Sequence, residues 1–251
     1  MSIWAIADLH LSFGVPNKLM DIFGPQWVNH AARVEKAWKE NVSPDDLVLI
    51  PGDISWAMQF DEVRPDLEWI HKLPGTKVCI KGNHDYWWSS ISKIRPILPP
   101  SCHLIQNDSF TWKDVSIGGS RMWDTSEYNF DALFEDEEPV AQKTLTESDV
   151  SEDKDKIFRR ELGRLENSLK TMDQKAKLRI AMTHYPAIGL DLKDSSISRL
   201  LEKYNVNICV FGHIHNVQSG LPLFGIHNGV EYHLVACDYL NCTPLKITSQ
   251  P

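Results

Sequence analysis

The sequence predicts an α/β fold in which sheets are covered by helices, and two patterns lead to this prediction. Short apolar runs rich in β-branched residues recur along the chain, and each is closed by glycine or a polar residue, as is typical of buried strands. Between several of these runs lie segments whose apolar residues repeat every three or four positions, as on one face of a helix. Alternating strands and helices favour layered sheets with mostly parallel strands.

The individual elements follow from the same patterns. Residues 26–42 place Trp27, Val34 and Trp38 on one helical face, and residues 155–176 do the same with Phe158 and Leu165. A shorter helix over residues 63–73 ends at a Pro-Gly pair. The predicted strands are residues 3–7, 47–50, 78–80, 115–117, 179–182, 208–211 and 232–236.

The chain length and composition set the domain organisation that we expect. The 251 residues are 42% hydrophobic, which is enough for one large buried core, so we predict a single domain over residues 1–251. Residues 135–156 depart from the pattern because they are highly charged, nearly free of aromatic residues and without apolar periodicity. We predict that they form an exposed, mobile insertion, either a plain solvated connection or a lid over the site.

Charge, termini and cysteines exclude several classes of protein. The net charge of -8 offers no basic surface for gripping a long nucleic acid, although a short end remains possible. The first residues lack the features of a signal peptide, and no apolar run approaches the roughly 18 residues of a membrane span, so we expect a cytoplasmic protein without membrane contact. The five cysteines are an odd number without paired spacing, which disfavours a disulfide framework or a cysteine zinc site.

Metal-capable side chains follow five of the predicted strands. Because the carboxyl ends of parallel strands meet at one edge of a sheet, these side chains are expected to share one cleft. A single Asp-x-His or Gly-Asp after a strand is more often a turn or a helix cap, so it is the combination that indicates a metal site. The residues are Asp8 and His10, Asp53, Asn83 with His84 and Asp85, His184, and His213 with His215.

In this order the motifs resemble those of the calcineurin-like metallophosphoesterases, of the bacterial phosphohydrolase type. The matching motifs are Asp8-x-His10, Gly52-Asp53, Gly82-Asn83-His84-Asp85, His184 and Gly212-His213-x-His215. The resemblance implies a four-layer α-β-β-α sandwich with the site at one edge of the paired sheets. It also implies a hydrolase that acts on phosphoester bonds.

The resemblance further implies two divalent cations and a ligand set for each. One cation would be held by Asp8, His10, Asp53 and His215, and the other by Asp53, Asn83, His184 and His213, with Asp53 as the bridge. Imidazole and oxygen ligands without thiolate suit Mn²⁺, which we favour, as well as Fe or Zn²⁺. A hydroxide bridging the two metals would attack the phosphorus, and the neutral Asn83 would ease the approach of an anionic substrate.

The tetrapeptide Gly82-Asn83-His84-Asp85 then combines two tasks. By similarity to the family, Asn83 is a ligand, while His84 points toward the leaving-group oxygen and stabilises its charge or donates a proton. Asp85 is expected to orient His84 and to keep it protonated.

The substrate is less defined by the sequence. Arg121 is a candidate for a phosphate oxygen, the alternative being a surface ion pair with Asp124. Trp56, Trp87 and Trp88 are candidates for stacking on a substrate ring, the alternative being a place in the core.

The leading hypothesis is a small phosphoester, either a monoester or a diester, with nucleotide-like compounds among the candidates. A nuclease acting on short nucleic-acid ends and a non-enzymatic metal-binding scaffold are the alternatives. The segment GDISWAMQF lacks the VDRG continuation of the protein serine/threonine phosphatases. The ADLH motif also occurs in pyrophosphate hydrolases of the lipid A pathway, but these usually carry Arg at the position of His84, so we disfavour a lipid substrate.

Overall fold

The computed structural model describes residues 1–133, 147–217 and 223–249. The first half of the chain contains β1 (Ser2–Ala5), α1 (His30–Asn41), β2 (Leu47–Ile50), α2 (Phe60–Lys72), β3 (Thr76–Cys79), α3 (Ile91–Ile94) and β4 (Cys102–Leu104). The second half contains β5 (Phe110–Trp112), β6 (Val115–Ser120), α4 (Glu147–Lys170), β7 (Leu178–Thr183), α5 (Ser196–Lys203), β8 (Ile208–Phe211), β9 (Ile226–His227), β10 (Val230–Leu234) and β11 (Leu245–Ser249). Short 3-10 helices lie at Met20–Phe23, Pro25–Trp27, Arg95–Ile97 and Asp131–Leu133.

The strands form two mixed sheets. The first has the order β11-β1-β2-β3-β4, and the second has the order β5-β6-β7-β8-β10-β9. Strands β1 to β4 are mutually parallel, as are β6, β7, β8 and β10, whereas β5, β9 and β11 pair antiparallel at the sheet edges. The central strands of both sheets therefore direct their carboxyl ends into shared loop regions.

Three core clusters show how the layers stack. One cluster between the two sheets joins Ile3 and Leu47 of the first sheet to Ile180 and Val210 of the second. A second cluster packs α1 and α2 on the outer face of the first sheet, where Trp38 of α1 is fully buried. A third cluster packs α4 and α5 on the outer face of the second sheet. Because successive side chains of a strand point to opposite faces, each sheet supplies both an inner and an outer core, and the fold is the predicted α-β-β-α sandwich.

The predicted strands all correspond to strands of the structure, with bounds that differ by a few residues. Residues 47–50 and 208–211 match β2 and β8, while β6 runs on to Ser120 and β10 ends at Leu234. Strands β4, β5, β9 and β11 were not predicted. All four are edge strands paired on only one side, and their short or polar sequences give a weak alternation signal.

The helices differ more from their predicted bounds. The predicted helix over residues 26–42 is divided into a 3-10 turn and α1, because Asn29 between them has a left-handed backbone with φ 53°. Helix α4 starts at Glu147 and ends at Lys170, so residues 147–156 of the predicted insertion are helical, and its described side chains at 153–156 are exposed. The part of the insertion over residues 135–146 lies outside the described residues. Helix α5, which was not predicted, begins with a capping box at Ser195.

Candidate metal centre and active site

The metal-capable side chains that follow β1, β2, β3, β7 and β8 come together where the two sheets meet. Strands β1, β2 and β3 are neighbours in the first sheet, and β7 and β8 are neighbours in the second. His184 follows β7 of the second sheet and contacts the loop after β2 of the first sheet. Its Nδ1 lies 3.0 Å from the carbonyl oxygen of Pro51. We call the assembled set the histidine–carboxylate cluster, which consists of Asp8, His10, Asp53, Asn83, His184, His213 and His215.

Four members of the cluster have left-handed backbones although none is glycine. The φ angles are 57° at Asp8, 44° at His10, 50° at Asp53 and 72° at His213. Such conformations cost about 1–3 kcal/mol each and persist where the surrounding structure imposes them. Here the loops bond to one another: the His10 amide donates to the Asp53 carbonyl at 3.0 Å, and the His213 amide donates to Asp8 Oδ2 at 3.1 Å.

The glycines that precede the cluster residues let the loops approach closely. A Cβ at Gly82 would overlap the Asp53 carboxylate and amide. A Cβ at Gly212 would overlap Asp8 Oδ2 and lie 2.6 Å from the Cβ of Ala7. The glycine in each motif is therefore required because another loop occupies the space of a side chain.

The two carboxylates lie between histidines that come from both sheets. Asp8 Oδ1 is 3.7 Å from His215 Nε2 and 3.9 Å from His184 Nδ1. Asp53 Oδ2 is 3.4 Å from His184 Nε2 and 3.7 Å from His10 Nε2. Asp53 thus has a histidine from each sheet beside it, whereas both histidines beside Asp8 come from the second sheet.

Asn83 stands at the side of the cluster formed by the second sheet. Its Oδ1 lies 2.6 Å from His184 Nε2 and 3.2 Å from His213 Nδ1. The amide oxygen therefore faces the same space as the two imidazoles.

Burial and mutual charge shift the pKa values of the cluster strongly. Burial raises the pKa of Asp8 to about 7 and lowers that of His10 to about 3. For His184, burial works in the opposite direction, but the charge of Asp53 and its hydrogen bond outweigh it and raise the pKa to about 9. The pKa of Asp53 is correspondingly low, because His184 and His10 outweigh the effect of burial. A cation entering the cluster would therefore displace protons from Asp8 and His184.

The cluster fits divalent cations by its donors and by its unpartnered atoms. Asp8, His10 and His215 form one group whose ligand atoms lie within 4.8 Å of one another, and Asp8, Asp53 and His184 form a second. Asp8 Oδ1 and His10 Nδ1 are buried without a hydrogen-bond partner among the described residues. A buried polar atom without a partner is costly, and a bound cation removes that cost for a carboxylate or an imidazole.

Asp238 belongs to the site although sequence reasoning missed it. Its Oδ1 lies 2.9 Å from His215 Nδ1, and its Oδ2 accepts from the Asn216 amide at 2.9 Å. A carboxylate behind a ligating histidine fixes the orientation of the ring and raises its basicity. The signal was present, because Asp238 follows the apolar run at residues 232–236 just as the other polar residues follow their strands.

His84 lies at the edge of the cluster, and its amide donates to Asp53 Oδ1 at 2.8 Å. Its ring centroid is 5.6 Å from that of His10 and 4.5 Å from that of Trp56. Its Nδ1 is buried without a partner among the described residues, and burial lowers its pKa.

The expected contact between Asp85 and His84 is absent from the described structure. The Asp85 carboxylate instead accepts from the amides of Ile54 at 2.9 Å and Gly82 at 2.8 Å, and from the Trp87 indole at 3.0 Å. It therefore ties the loop after β2 to the loop after β3. The prediction that Asp85 orients and protonates His84 is corrected accordingly, because adjacent residues in this turn point in different directions.

The structure gives Arg121 an ion-pair partner other than the predicted one, and it gives Trp87 and Trp88 the core position that was the alternative to a substrate contact. The Arg121 guanidinium bonds Glu161 at 3.3 Å and stacks over Trp123 at 4.5 Å, whereas Asp124 pairs with Lys154. Trp87 and Trp88 are 2% and 1% exposed and belong to the core, so they are not available for stacking on a substrate. Trp56 lies beside the cluster, with its ring stacked on His10 at 4.9 Å.

A cleft of about 600 Å³ opens beside the cluster. Its lining includes His213, His215 and several aromatic side chains. The rings of Trp123 and Tyr185 lie 5.1 Å apart, and Tyr185 packs on His213 at 3.9 Å. This volume suits a small organic ligand.

The geometry agrees with the family that the sequence matches. The model of the family described as calcineurin-like phosphoesterase matches residues 1–217. The chain belongs to this family. The resemblance drawn from the sequence motifs is thereby confirmed at the level of the family. The chain spans about two fifths of the length of the phage proteins that it matches, 39% and 40%. Among the described residues, none of the helices is both long and apolar enough to span a bilayer.

Individual relatives are more distant. The chain is 38% identical over 84 residues to the gene 66 protein of Mycobacterium phage L5, which covers 33% of this chain and 39% of the phage protein. It is similar, at 13% identity and TM-score 0.49, to a protein of unknown function from Aquifex aeolicus, with 98% and 95% of the two chains covered. It is also similar, at 16% identity and TM-score 0.48, to the phosphopantetheinyl hydrolase of Mycobacterium tuberculosis, with 100% and 96% covered.

Proposed function

We propose that the chain hydrolyses a small phosphoester, a monoester or a diester, with two divalent cations held in the histidine–carboxylate cluster. The observation that supports this proposal is the pair of overlapping ligand groups that share Asp8, together with the unpartnered Asp8 Oδ1 in their midst. Mn²⁺ is our first choice of metal, with Fe and Zn²⁺ as alternatives, because the donors are imidazoles and oxygens. The cytoplasmic location expected from the sequence remains a prediction.

The ligands divide into two sets around the carboxylates. Asp8, His10 and His215 would hold one cation. The second would be held by Asn83, His184 and His213, with Asp53 between the two sets, since its Oδ2 faces both His10 and His184. When bound, two such cations lower the pKa of a water and stabilise the charge on the phosphoryl oxygens.

The residues around the cations then position the ester. His84 supplies an imidazole at the open edge of the cluster, where its ring can donate a hydrogen bond to the leaving-group oxygen. Asp85 holds the two loops that carry Asp53 and Asn83. The Asp238 carboxylate keeps the His215 ring in one orientation.

The cleft beside His213 indicates the kind of leaving group that fits. The half-buried Trp123, Tyr128 and Phe130 line this cleft, and such a lining suits a ring or another planar apolar group. A nucleotide-like ester satisfies this requirement, and so does an aryl phosphate.

The test is hydrolysis of p-nitrophenyl phosphate and bis-p-nitrophenyl phosphate by metal-stripped protein resupplied with Mn²⁺. We expect cleavage of at least one ester, and we expect His84→Ala to keep both metals while losing about 10²- to 10⁴-fold in kcat. His103→Ala is the matched control, because its ring stacks on Phe110 at β5 and does not take part in the cluster.

Elemental analysis accompanies each assay. Two bound metals without hydrolysis of either ester would count against a small-ester substrate. In that case, Mn²⁺-dependent cleavage of a labelled single-stranded oligonucleotide would favour the nuclease alternative. Full activity of the His84→Ala protein would remove His84 from the mechanism.

A further inference from the structure

A second polar cavity, of about 250 Å³, lies between the end of β3, the end of β6 and helix α4. Four cationic side chains and a single carboxylate line it, together with uncharged residues. We call it the arginine pocket, and its charged residues are Lys81, Arg121, Arg160, Arg164 and Glu161.

Glu161 forms ion pairs with all three guanidinium groups of the pocket. Its side chain is 2% exposed, and its Oε1 accepts from Arg164 at 2.7 Å, from Arg121 at 3.3 Å and from Arg160 at 3.4 Å. Its Oε2 accepts from the Ser120 hydroxyl at 3.0 Å. One carboxylate oxygen therefore serves three arginines.

The arginine pocket has more N–H donors than its own acceptors can bind, and more positive charge than Glu161 can neutralise. Each guanidinium carries five N–H donors. Among the described residues, Arg160 and Arg164 have no carboxylate other than Glu161 within 4 Å, and Arg121 Nε is buried without a partner. Lys81 adds a further charge, and its ammonium donates to the carbonyl of Trp88 at 2.8 Å. Glu161 offsets only one of the four positive charges, so a further anion in the pocket would reduce the repulsion among them.

The pocket shares a wall with the histidine–carboxylate cluster. The Arg121 carbonyl accepts from the His184 amide at 3.1 Å, and Lys81 precedes Asn83 by two residues, a span of at most about 7 Å. The Arg121 guanidinium also stacks on Trp123, which lines the cleft beside His213. A group in the arginine pocket would therefore lie within the reach of a small phosphoester bound at the cluster.

The geometry points to the arginine pocket as a second anion site that takes a phosphate group. Planar guanidinium groups match the oxygens of a phosphate with paired hydrogen bonds, and here Glu161 holds several of them around one space. The phosphate is either a second anionic group of the substrate or a free anion that occupies the pocket independently. The first of these sources rests on the proposed function, whereas the second does not.

The direct test uses crystals of the metal-loaded protein soaked in sodium selenate, located by selenium anomalous scattering. We expect a peak bounded by Arg121, Arg160 and Arg164 that disappears in the Arg160→Gln/Arg164→Gln protein. Arg159→Gln is the matched control, because it removes the same charge from an exposed position of the same helix and should leave the peak in place. No peak in the pocket, or a peak that persists in the double variant, would overturn the inference.

Kinetics distinguish the two sources of the phosphate. If the pocket binds the substrate's second group, Arg160→Gln should raise KM for propane-1,3-diol bisphosphate by about tenfold and change KM for propyl phosphate less than about twofold. Arg160 is chosen because its side chain is 54% exposed and its replacement should not disturb folding. A selenate peak without this difference in KM identifies a free anion. Failure to hydrolyse either ester would contradict the proposed function, while the selenate result would still decide the arginine pocket.

Discussion

The histidine–carboxylate cluster takes its side chains from loops that directly follow five strands, whereas the arginine pocket takes three of its five charged side chains from helix α4. In the cluster, carboxylates, imidazoles and an amide converge, and Asp8 Oδ1 and His10 Nδ1 have no hydrogen-bond partner among the described residues. In the pocket, cationic groups share one carboxylate. The difference shows that one edge of the sandwich offers adjacent environments for ligands of opposite charge.

The two regions also differ in how rigidly they are built. The cluster depends on left-handed backbones and on glycines against which other loops pack, so it has little freedom to adjust. Arg160 and Arg164 are long side chains on a helix surface, 54% and 37% exposed, and can move without a change in the fold. Substitutions should therefore affect the cluster more severely than the pocket.

Asp53→Ala should affect the two regions most differently, because it acts on metal binding in the cluster and not on anion binding in the arginine pocket. It removes the carboxylate that faces both His10 and His184, so we expect loss of both metals and a fall in kcat of at least about a thousandfold. Elemental analysis and turnover measure this, with the exposed Asp45→Ala as control. The arginine pocket should still bind selenate in this variant. Retention of two metals would show that Asp53 does not connect the two ligand sets.

Glycine substitutions test the difference in rigidity. Gly212→Ala would place a methyl group against Asp8 and Ala7, and we expect it to destabilise the protein by about 3 kcal/mol in urea unfolding. Gly163→Ala on α4, the helix of the arginine pocket, has nothing within 4 Å and should stabilise the protein by about 0.5–1 kcal/mol. Equal effects at the two positions would mean that the cluster loops are not closely packed.

Asp238→Asn should have the smallest effect of the three. The amide keeps the shape of the carboxylate but loses the charge behind His215, so we expect metal affinity to fall about 10- to 100-fold with little loss of stability. Competition with a chromogenic chelator measures the affinity. Asp191→Asn removes the same charge from an exposed ion pair, 2.8 Å from Lys193, and should leave metal affinity unchanged. An unchanged affinity in Asp238→Asn would reduce Asp238 to a packing role.

Much of the fold and the cluster could be predicted because both depend on local pattern. Buried parallel strands are continuous apolar runs, and the polar residue that ends each run marks the edge of the sheet where ligands collect. For this reason Asp8, Asp53 and His184 were identified without any knowledge of which strands are neighbours. Strands β4 and β9 were missed because they are short edge strands with little alternation.

The direction of a side chain within a turn was not predictable in the same way. His84 and Asp85 are adjacent in sequence, which suggested a contact. In the structure, the Asp85 carboxylate binds backbone amides of the loop after β2, while the His84 ring lies against Trp56. Trp87 and Trp88 belong to the core although they lie two and three residues after Asp85.

The sequence alone determined the layered α/β fold and the candidate side chains of the cluster, because apolar periodicity and the residues that interrupt it are properties of contiguous segments. The resemblance of its ordered motifs indicated the family. Only the tertiary structure decided which groups share a space. It placed Asp238 behind His215 and brought Glu161 of α4 to Arg121 of the loop after β6, pairs that lie 23 and 40 residues apart. Contacts of this kind depend on how helices and sheets pack, and neither residue of such a pair carries a local signal of the other.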